Sequence, residues 1–348
     1  MAEPKQINPA DRVSPSISMA KLSPEAIWNL TEKELLTLLD SEELVRQPRQ
    51  VQFYAPSFTY YRTSHFCSSP KDFPTVSVTG NICTLNCKHC AGKVLETMHP
   101  ADTPEKLLSL STRFKQNGAK GMLISGGCLP DGSVPLQEFM DVITKIKKDL
   151  GLTVFVHTGL VDAETASQLK EAGVDAALID VIGSEETIRE VYNLHTTTQS
   201  YSDSLKALND GGIDFVSHII TGLHHGELKG ELNALKTIAK YKPSAIVIIS
   251  FMPIQGTAMA KTKPPSPTAI ARTAATARAL FPQTPLVLGC MRPKGRHRVE
   301  TDVLALKAGV DGVAFPSEEA IKYAEKQGYQ VAYSSFCCAQ IYKDLTTK

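Results

Sequence analysis

The sequence predicts an α/β protein whose main body is a (β/α)8 barrel, and three observations carry that prediction. Short apolar, β-branched runs recur between residues 75 and 315, each followed by a helix-length amphipathic segment with polar flanks. The runs are apolar almost throughout rather than alternating, the mark of parallel strands buried on both faces. There are about eight of them, and eight favours a closed barrel over an open doubly wound sheet. A chain of 348 residues holds one such barrel of about 250 residues plus extensions at both ends.

In chain order, residues 1–22 are polar with scattered prolines and read as a flexible arm. Residues 23–70 form an N-terminal extension. In it Ser23 is an N-cap and Pro24 the first helical position of one apolar-striped helix through Leu39, broken or kinked near Thr31. The aromatic stretch 51–66 then favours β structure and leads into Cys67. The barrel spans residues 71–327, with strands expected at Thr75-Val-Ser-Val, Gly121-Met-Leu-Ile-Ser, Thr153-Val-Phe-Val-His and Ala176-Ala-Leu-Ile-Asp. Four more are expected at Phe215-Val-Ser-His-Ile-Ile, Ala245-Ile-Val-Ile-Ile-Ser, Pro285-Leu-Val-Leu and Gly312-Val-Ala-Phe. A tail over 328–348 adds a ninth β-like run from Gln330 and ends near Cys337 and Cys338.

Composition narrows the function classes. The formal charge of +1 advertises no nucleic-acid surface, and no apolar run is long enough to span a membrane. The first residues lack the apolar core of a signal peptide, so a cytoplasmic location is expected. There, eight cysteines point to metal or redox use rather than to a disulfide framework.

Cys83, Cys87 and Cys90 form a CxxxCxxC triplet on a loop directly after the first barrel strand. Catalytic residues of such barrels come from the C-terminal ends of the strands. Three thiolates at this spacing can hold three irons of a [4Fe–4S] cluster and leave the fourth iron open. The alternative is a zinc knuckle with His89 or a distant cysteine as fourth ligand. Zinc ribbons, however, supply two cysteine pairs, and only one cluster here has ligand spacing. After the second strand come Gly126 and Gly127, whose missing side chains let backbone groups approach a ligand, or which simply form a βα turn.

The triplet resembles that of the radical S-adenosylmethionine (SAM) superfamily, and residues 75–315 look like its biotin synthase and lipoyl synthase branch. Tyr192 with the segment Thr196 to Leu208, the following Gly-Gly turn and strand, the Gly226-Glu227 turn, and Gly256-Thr257 after the sixth strand carry the likeness. The resemblance implies a [4Fe–4S] cluster on Cys83, Cys87 and Cys90, and SAM chelated to the open iron and cleaved to a 5′-deoxyadenosyl radical. It further implies that Gly126 and Gly127 hold the methionine moiety and that Gly256 and Thr257 border the adenosyl group. His157 with Thr158, Asp180, His218 and Glu227 follow or lie in strands where cofactor or substrate can be hydrogen-bonded; their alternative is a polar plug of the barrel, or for His218 a helix-facing position. His224 and His225 read as loop residues.

The remaining cysteines address which reaction is served. Biotin synthases hold a second cluster on barrel-strand cysteines and an arginine; Arg292 falls near that arginine, but the strands around Phe155 and Val216 carry no cysteine. Lipoyl synthases hold a sacrificial cluster with cysteines before the barrel and a serine in a C-terminal segment, which Cys67 and Ser334-Ser-Phe-Cys337-Cys338 resemble. Two departures are plain: a tyrosine precedes the serines, and one cysteine stands where that family has three. A second cluster from Cys67, Cys337, Cys338 and Cys290 requires the chain ends to meet over the barrel mouth, an arrangement similar to divergent two-component lipoyl synthases. Cys128 and Cys290 also read as packing residues. The resulting expectation is a sulfur-inserting radical SAM enzyme acting on an octanoyl-lysyl protein, with a ferredoxin or flavodoxin donor and a second radical SAM subunit as partners. The basic run Arg292, Lys294, Arg296, His297, Arg298 is a candidate dock for an acidic carrier domain or plain solvated surface. The alternatives are a radical mutase or hydrogenase-maturation enzyme without sulfur transfer, and a non-catalytic iron–sulfur or zinc scaffold.

Overall fold

The computed structural model describes residues 22–57, 59–69 and 71–346, so the expected arm at 1–22 lies, but for Leu22, outside the described residues. Eleven strands form a single sheet: β1 (Gln50–Tyr54), β2 (Thr75–Ser77), β3 (His99–Pro100), β4 (Gly121–Ser125), β5 (Thr153–His157), β6 (Ala176–Asp180), β7 (Phe215–Thr221), β8 (Ala245–Ser250), β9 (Leu286–Leu288), β10 (Gly312–Ala314) and β11 (Gln330–Ser334). Their order is β11-β1-β10-β9-β8-β7-β6-β5-β4-β2-β3, and every pairing is parallel. The run from β2 and β4 to β10 is the expected set of eight barrel strands. Its ladder has two ends among the described residues, β3 on one side and β11 on the other, so the sheet is a parallel partial barrel rather than a hydrogen-bonded closed ring. At one end of the ladder β1 inserts between β10 and β11 in the registers Gln52↔Gly312 and Gln52↔Ala332.

The helices are α1 (Pro24–Trp28), α2 (Glu32–Ser41), α3 (Pro104–Gln116), α4 (Met140–Lys145), α5 (Ala163–Glu171), α6 (Glu185–Glu190), α7 (Thr198–Asp210), α8 (Glu231–Ile238), α9 (Pro267–Leu280), α10 (Arg296–Lys307), α11 (Glu318–Lys326) and α12 (Ile341–Thr346). Of the break or kink expected near Thr31, the structure has the break: α1 ends at Trp28 with Asn29 as its C-cap, and Thr31 caps α2 through a reciprocal box in which its hydroxyl accepts from Glu34 N–H and Glu34 accepts from Thr31 N–H at 2.8 Å. Ser23 caps α1 as expected, accepting from Ala26 N–H at 3.1 Å.

Side chains alternate across each strand, and that alternation separates two cores. Val154 and Val156 of β5, and Ala177 and Ile179 of β6, face the surrounding helices. Phe155, Ala176, Leu178, Val216, Val247 and Val287 face the barrel interior. Counting in steps of two, His157, Asp180 and His218 also project inward, so His218 does not face a helix.

The C-terminal tail completes the interior from the side opposite to expectation. After β11 a 3₁₀ turn, Cys338–Gln340, leads to α12. Tyr342 donates to the carbonyl of Asp175, just before β6, at 2.8 Å, and Lys343 donates to the Asp175 carboxylate at 2.7 Å. Tyr54 donates to Asp344 at 2.7 Å. Burial opposes ionisation of Asp175, but hydrogen bonds from Lys147, Lys343 and the Val154 N–H prevail and hold its carboxyl below the usual range. The tail therefore crosses the N-terminal ends of the strands, inserting Cys338, Ala339 and Ile341 into the inner core beside Phe73 and Phe155.

Candidate active site

A cavity of about 370 Å³ occupies the barrel interior. Cys83, Cys87 and Cys90 line it together with Gly126, Gly127, His157, Asp180 and His218, and so do Cys290, Cys337 and Cys338. Much of the remaining wall is apolar: Leu123, Leu178, Ile220, Val247, Ile249 and Phe251. No helix among the described residues is long and apolar enough to cross a membrane.

The triplet loop is held from several sides. Cys87 donates its thiol hydrogen to the Tyr192 carbonyl at 3.3 Å, and Lys88 N–H donates to the Val191 carbonyl at 2.8 Å. Asn193, in the left-handed region with φ 54°, donates to the carbonyls of Leu85 and Asn86 at 3.2 and 3.0 Å. An asparagine tolerates this conformation, and its place directly after Tyr192 is the signal that sequence reading passed over. Cys87 and Cys90 form a buried coupled pair. Their mutual hydrogen bond lowers Cys90 to about 4, while that bond and burial raise Cys87. An easily formed thiolate is what a metal requires of cysteine.

The glycine loop meets the triplet loop backbone to backbone. Thr84 N–H donates to the Cys128 carbonyl at 3.0 Å, and Gly127 N–H donates to the Thr79 hydroxyl at 2.7 Å. A Cβ built on Gly127 would lie 2.0 Å from the Ile82 carbonyl oxygen and 2.6 Å from Cys83 Cα. Neither backbone atom can move without displacing the triplet. Gly127→Ala is therefore expected to lower bound iron and weaken SAM binding at least about tenfold, read by iron analysis and anaerobic SAM titration. Wild-type values for both would show that the close approach is unimportant. Burial pushes the Cys128 thiol up to about 12, with Cys83 adding to the effect.

Other expected residues are placed differently. Gly256 and Thr257 are absent from the cavity wall, where Phe251, Met252 and Ile254 stand; Gly256 packs against the Lys93 side chain instead. Glu227 is exposed in a turn bridged to His224 and does not line the cavity. The carboxylate buried nearby is Glu231, 5% exposed, which accepts from Gly222 N–H at 2.8 Å. Thr158 turns its hydroxyl to the Gly159 carbonyl at 2.9 Å. His224 lies 3.5 Å from Glu186, which also pairs with Lys229. Cys67 is exposed, bridged to Arg62, and outside the cavity wall. The two ends of the chain do meet, β1 pairing with β11 and Phe66 stacking on Tyr333 at 5.4 Å, but Cys67 does not join Cys290, Cys337 and Cys338 on the cavity wall.

Arg292 is 0% exposed and donates to Asp302, also 0% exposed, at 2.7 Å, and to the Gly289 and Phe315 carbonyls at 2.7 and 3.2 Å. It does not line the cavity. The basic run around it is not one docking surface: His297 hydrogen-bonds the Pro265 carbonyl at 2.8 Å, Arg298 donates to the Arg292 carbonyl at 3.3 Å, and Arg296 pairs with Glu300 at 2.9 Å.

A family profile described as "Radical SAM superfamily" matches residues 77–236, the segment that runs from the triplet loop to α8. Residues 77–236 are a radical SAM domain. It is similar to the biotin synthase of Legionella pneumophila strain Paris, 28% identical over 288 residues covering 79% of this chain and 87% of that one. The biotin synthase of Ralstonia nicotianae is 27% identical over 308 residues, covering 84% and 79%. In fold, this radical SAM protein resembles the [FeFe]-hydrogenase maturase HydG, with a TM-score of 0.62 and 18% identity over 93% of this chain and 74% of that one. Methylornithine synthase PylB gives 0.59 and 15%, over 93% and 99%.

That domain together with the biotin synthase relatives makes the chain a biotin synthase-like radical SAM enzyme, with a [4Fe–4S] cluster and SAM as cofactors. Its residues fit them: two buried thiols and a third on one loop share a cavity with a backbone cradle that a single methyl group at Gly127 would fill.

Proposed function

We propose that this radical SAM enzyme inserts sulfur into an unactivated carbon chain, drawing it from a second iron–sulfur cluster, with an octanoyl-lysyl protein as the acceptor. The observation that carries this reading is the convergence of seven cysteines on one apolar cavity: Cys83, Cys87 and Cys90 line it, and so do Cys128, Cys290, Cys337 and Cys338. The first three are the ligands of the SAM-binding cluster, and Gly126 and Gly127 offer backbone groups to the methionine end of SAM. When bound, this pair supplies a 5′-deoxyadenosyl radical under a low-potential electron. Cys290, Cys337 and Cys338 are the candidate ligands of the second cluster.

Three features support the assignment. Burial raises the Cys290 thiol to about 11, with Cys337 adding to it, so these sulfurs lie near enough to feel each other's charge. Adjacent Cys337 and Cys338 share a thiol hydrogen bond that lowers the first and, with burial, raises the second. The apolar wall suits an alkyl chain and keeps water from a reactive carbon radical. The biotin synthase relatives support sulfur insertion as the reaction class, whereas the inward positions of β5, β6 and β7 carry His157, Asp180 and His218 and no cysteine. The second cluster is therefore proposed on the tail, as in the lipoyl synthase resemblance. A ferredoxin or flavodoxin donor and a second radical SAM subunit are the proposed partners.

The test is iron content and EPR on anaerobically reconstituted protein. The Cys83/Cys87/Cys90→Ala variant is expected to keep one cluster of about four irons, which disappears when Cys337 and Cys338 are also replaced. Wild type should transfer sulfur to an octanoyl-lysyl peptide, seen by mass spectrometry. A triplet variant without iron would eliminate the second cluster and favour a radical mutase or maturase. Two clusters with no sulfur in the peptide would leave the cluster and reject the acceptor.

A further inference from the structure

The inward faces of β5, β6 and β7 carry a cluster that the proposed function leaves unused. His157 ends β5, Asp180 ends β6, and His218 lies within β7, directly opposite Asp180 in the ladder. One donor atom of each lies within 4.8 Å of the other two. His157 Nε2 is 3.7 Å from Asp180 Oδ1, and the two imidazole rings are 5.4 Å apart between centroids.

Two buried side-chain atoms of this cluster have no hydrogen-bond partner: Asp180 Oδ1 and His218 Nδ1. His218 is 8% exposed and lines the cavity. Buried polar atoms are nearly always paired, so two unpartnered atoms in one three-residue cluster ask for a further partner. We propose that His157, Asp180 and His218 bind a mononuclear divalent transition-metal ion, zinc or ferrous iron, in the barrel interior. Two imidazoles and one carboxylate are the donor set for such ions, and three protein ligands leave a coordination position open toward the cavity. Imidazole must be neutral to ligate, and burial, with His157 adding to it, already lowers His218 to about 4. The set contains no thiolate, so it is chemically separate from every cysteine in the cavity and does not depend on sulfur insertion.

The experiment uses the full chain with its cysteine-held iron–sulfur content reconstituted, exposed to zinc chloride, desalted and assayed for zinc and iron together. Wild type is expected to retain about one zinc per chain beyond its iron. His157→Ala and His218→Ala should retain at least about tenfold less, with iron unchanged. Asp180→Asn, nearly identical in size, should lose zinc likewise and decides the matter if a histidine variant fails to fold. Cobalt substituted into wild type should give d–d bands without thiolate-to-metal charge transfer. The proposal is overturned if wild type retains no zinc, if Asp180→Asn binds it as tightly as wild type, or if charge transfer shows the ion on cysteine.

Discussion

Replacing any one of Cys83, Cys87 or Cys90 by alanine is expected to reduce reductive cleavage of SAM at least about a thousandfold, the scale on which members of an obligate unit fail together. The three thiols are not interchangeable in surroundings. Cys87 and Cys90 are buried, and Cys87 is tied to the Tyr192 carbonyl, whereas Cys83 is half-buried against the glycine loop. Each nevertheless supplies one of three protein ligands, and a cluster held at two corners would be lost. The measurement is 5′-deoxyadenosine released under strong reductant, with iron determined on the same samples. A single variant that kept wild-type turnover would remove the triplet from catalysis.

Arg292→Ala is expected to cost about 3–5 kcal/mol, the usual consequence of removing one partner from a buried ion pair. Asp302 would be left charged and 0% exposed, still accepting from Ser317 N–H at 2.8 Å, and the Gly289 and Phe315 carbonyls would each lose a donor. A thermal midpoint lowered by roughly 6–10 °C follows at about 2 °C per kcal/mol. Replacing both partners by apolar residues, Arg292→Met with Asp302→Leu, should recover much of that loss, because the uncompensated charge is gone. Calorimetry with iron analysis separates this from the role its sequence position suggested. If Arg292 ligated a cluster, Arg292→Ala would deplete iron while leaving the midpoint in place.

The positions of strands, helix caps and metal-binding spacing were legible because they are written in neighbouring residues. Alternating β-branched runs and amphipathic segments announced the βα repeat, Ser23 announced the first cap, and the triplet announced its cluster. The Thr31 box was readable too, since Glu34 stands three residues on; its strength made two helices of what periodicity alone presented as one.

Long-range contacts were not written that way. Whether Arg292 meets a cluster or Asp302 depends on the packing of α10 against the end of β9. Whether the tail carries Cys337 and Cys338 onto the cavity wall depends on Lys343, Tyr342 and Asp344 finding Asp175 and Tyr54, partners 168, 167 and 290 residues away. Similarly, β1 pairs with β10 and β11 across most of the chain, and the ladder ends at β11 and β3 instead of closing into a ring. The sequence by itself determined the βα units and the triplet loop, since propensity and side-chain period are local. Only the tertiary structure decided that His157, Asp180 and His218 turn inward and meet, that α12 packs beside the N-terminal end of β6 and that Arg292 is buried, because each requires strand register and burial set jointly by distant segments.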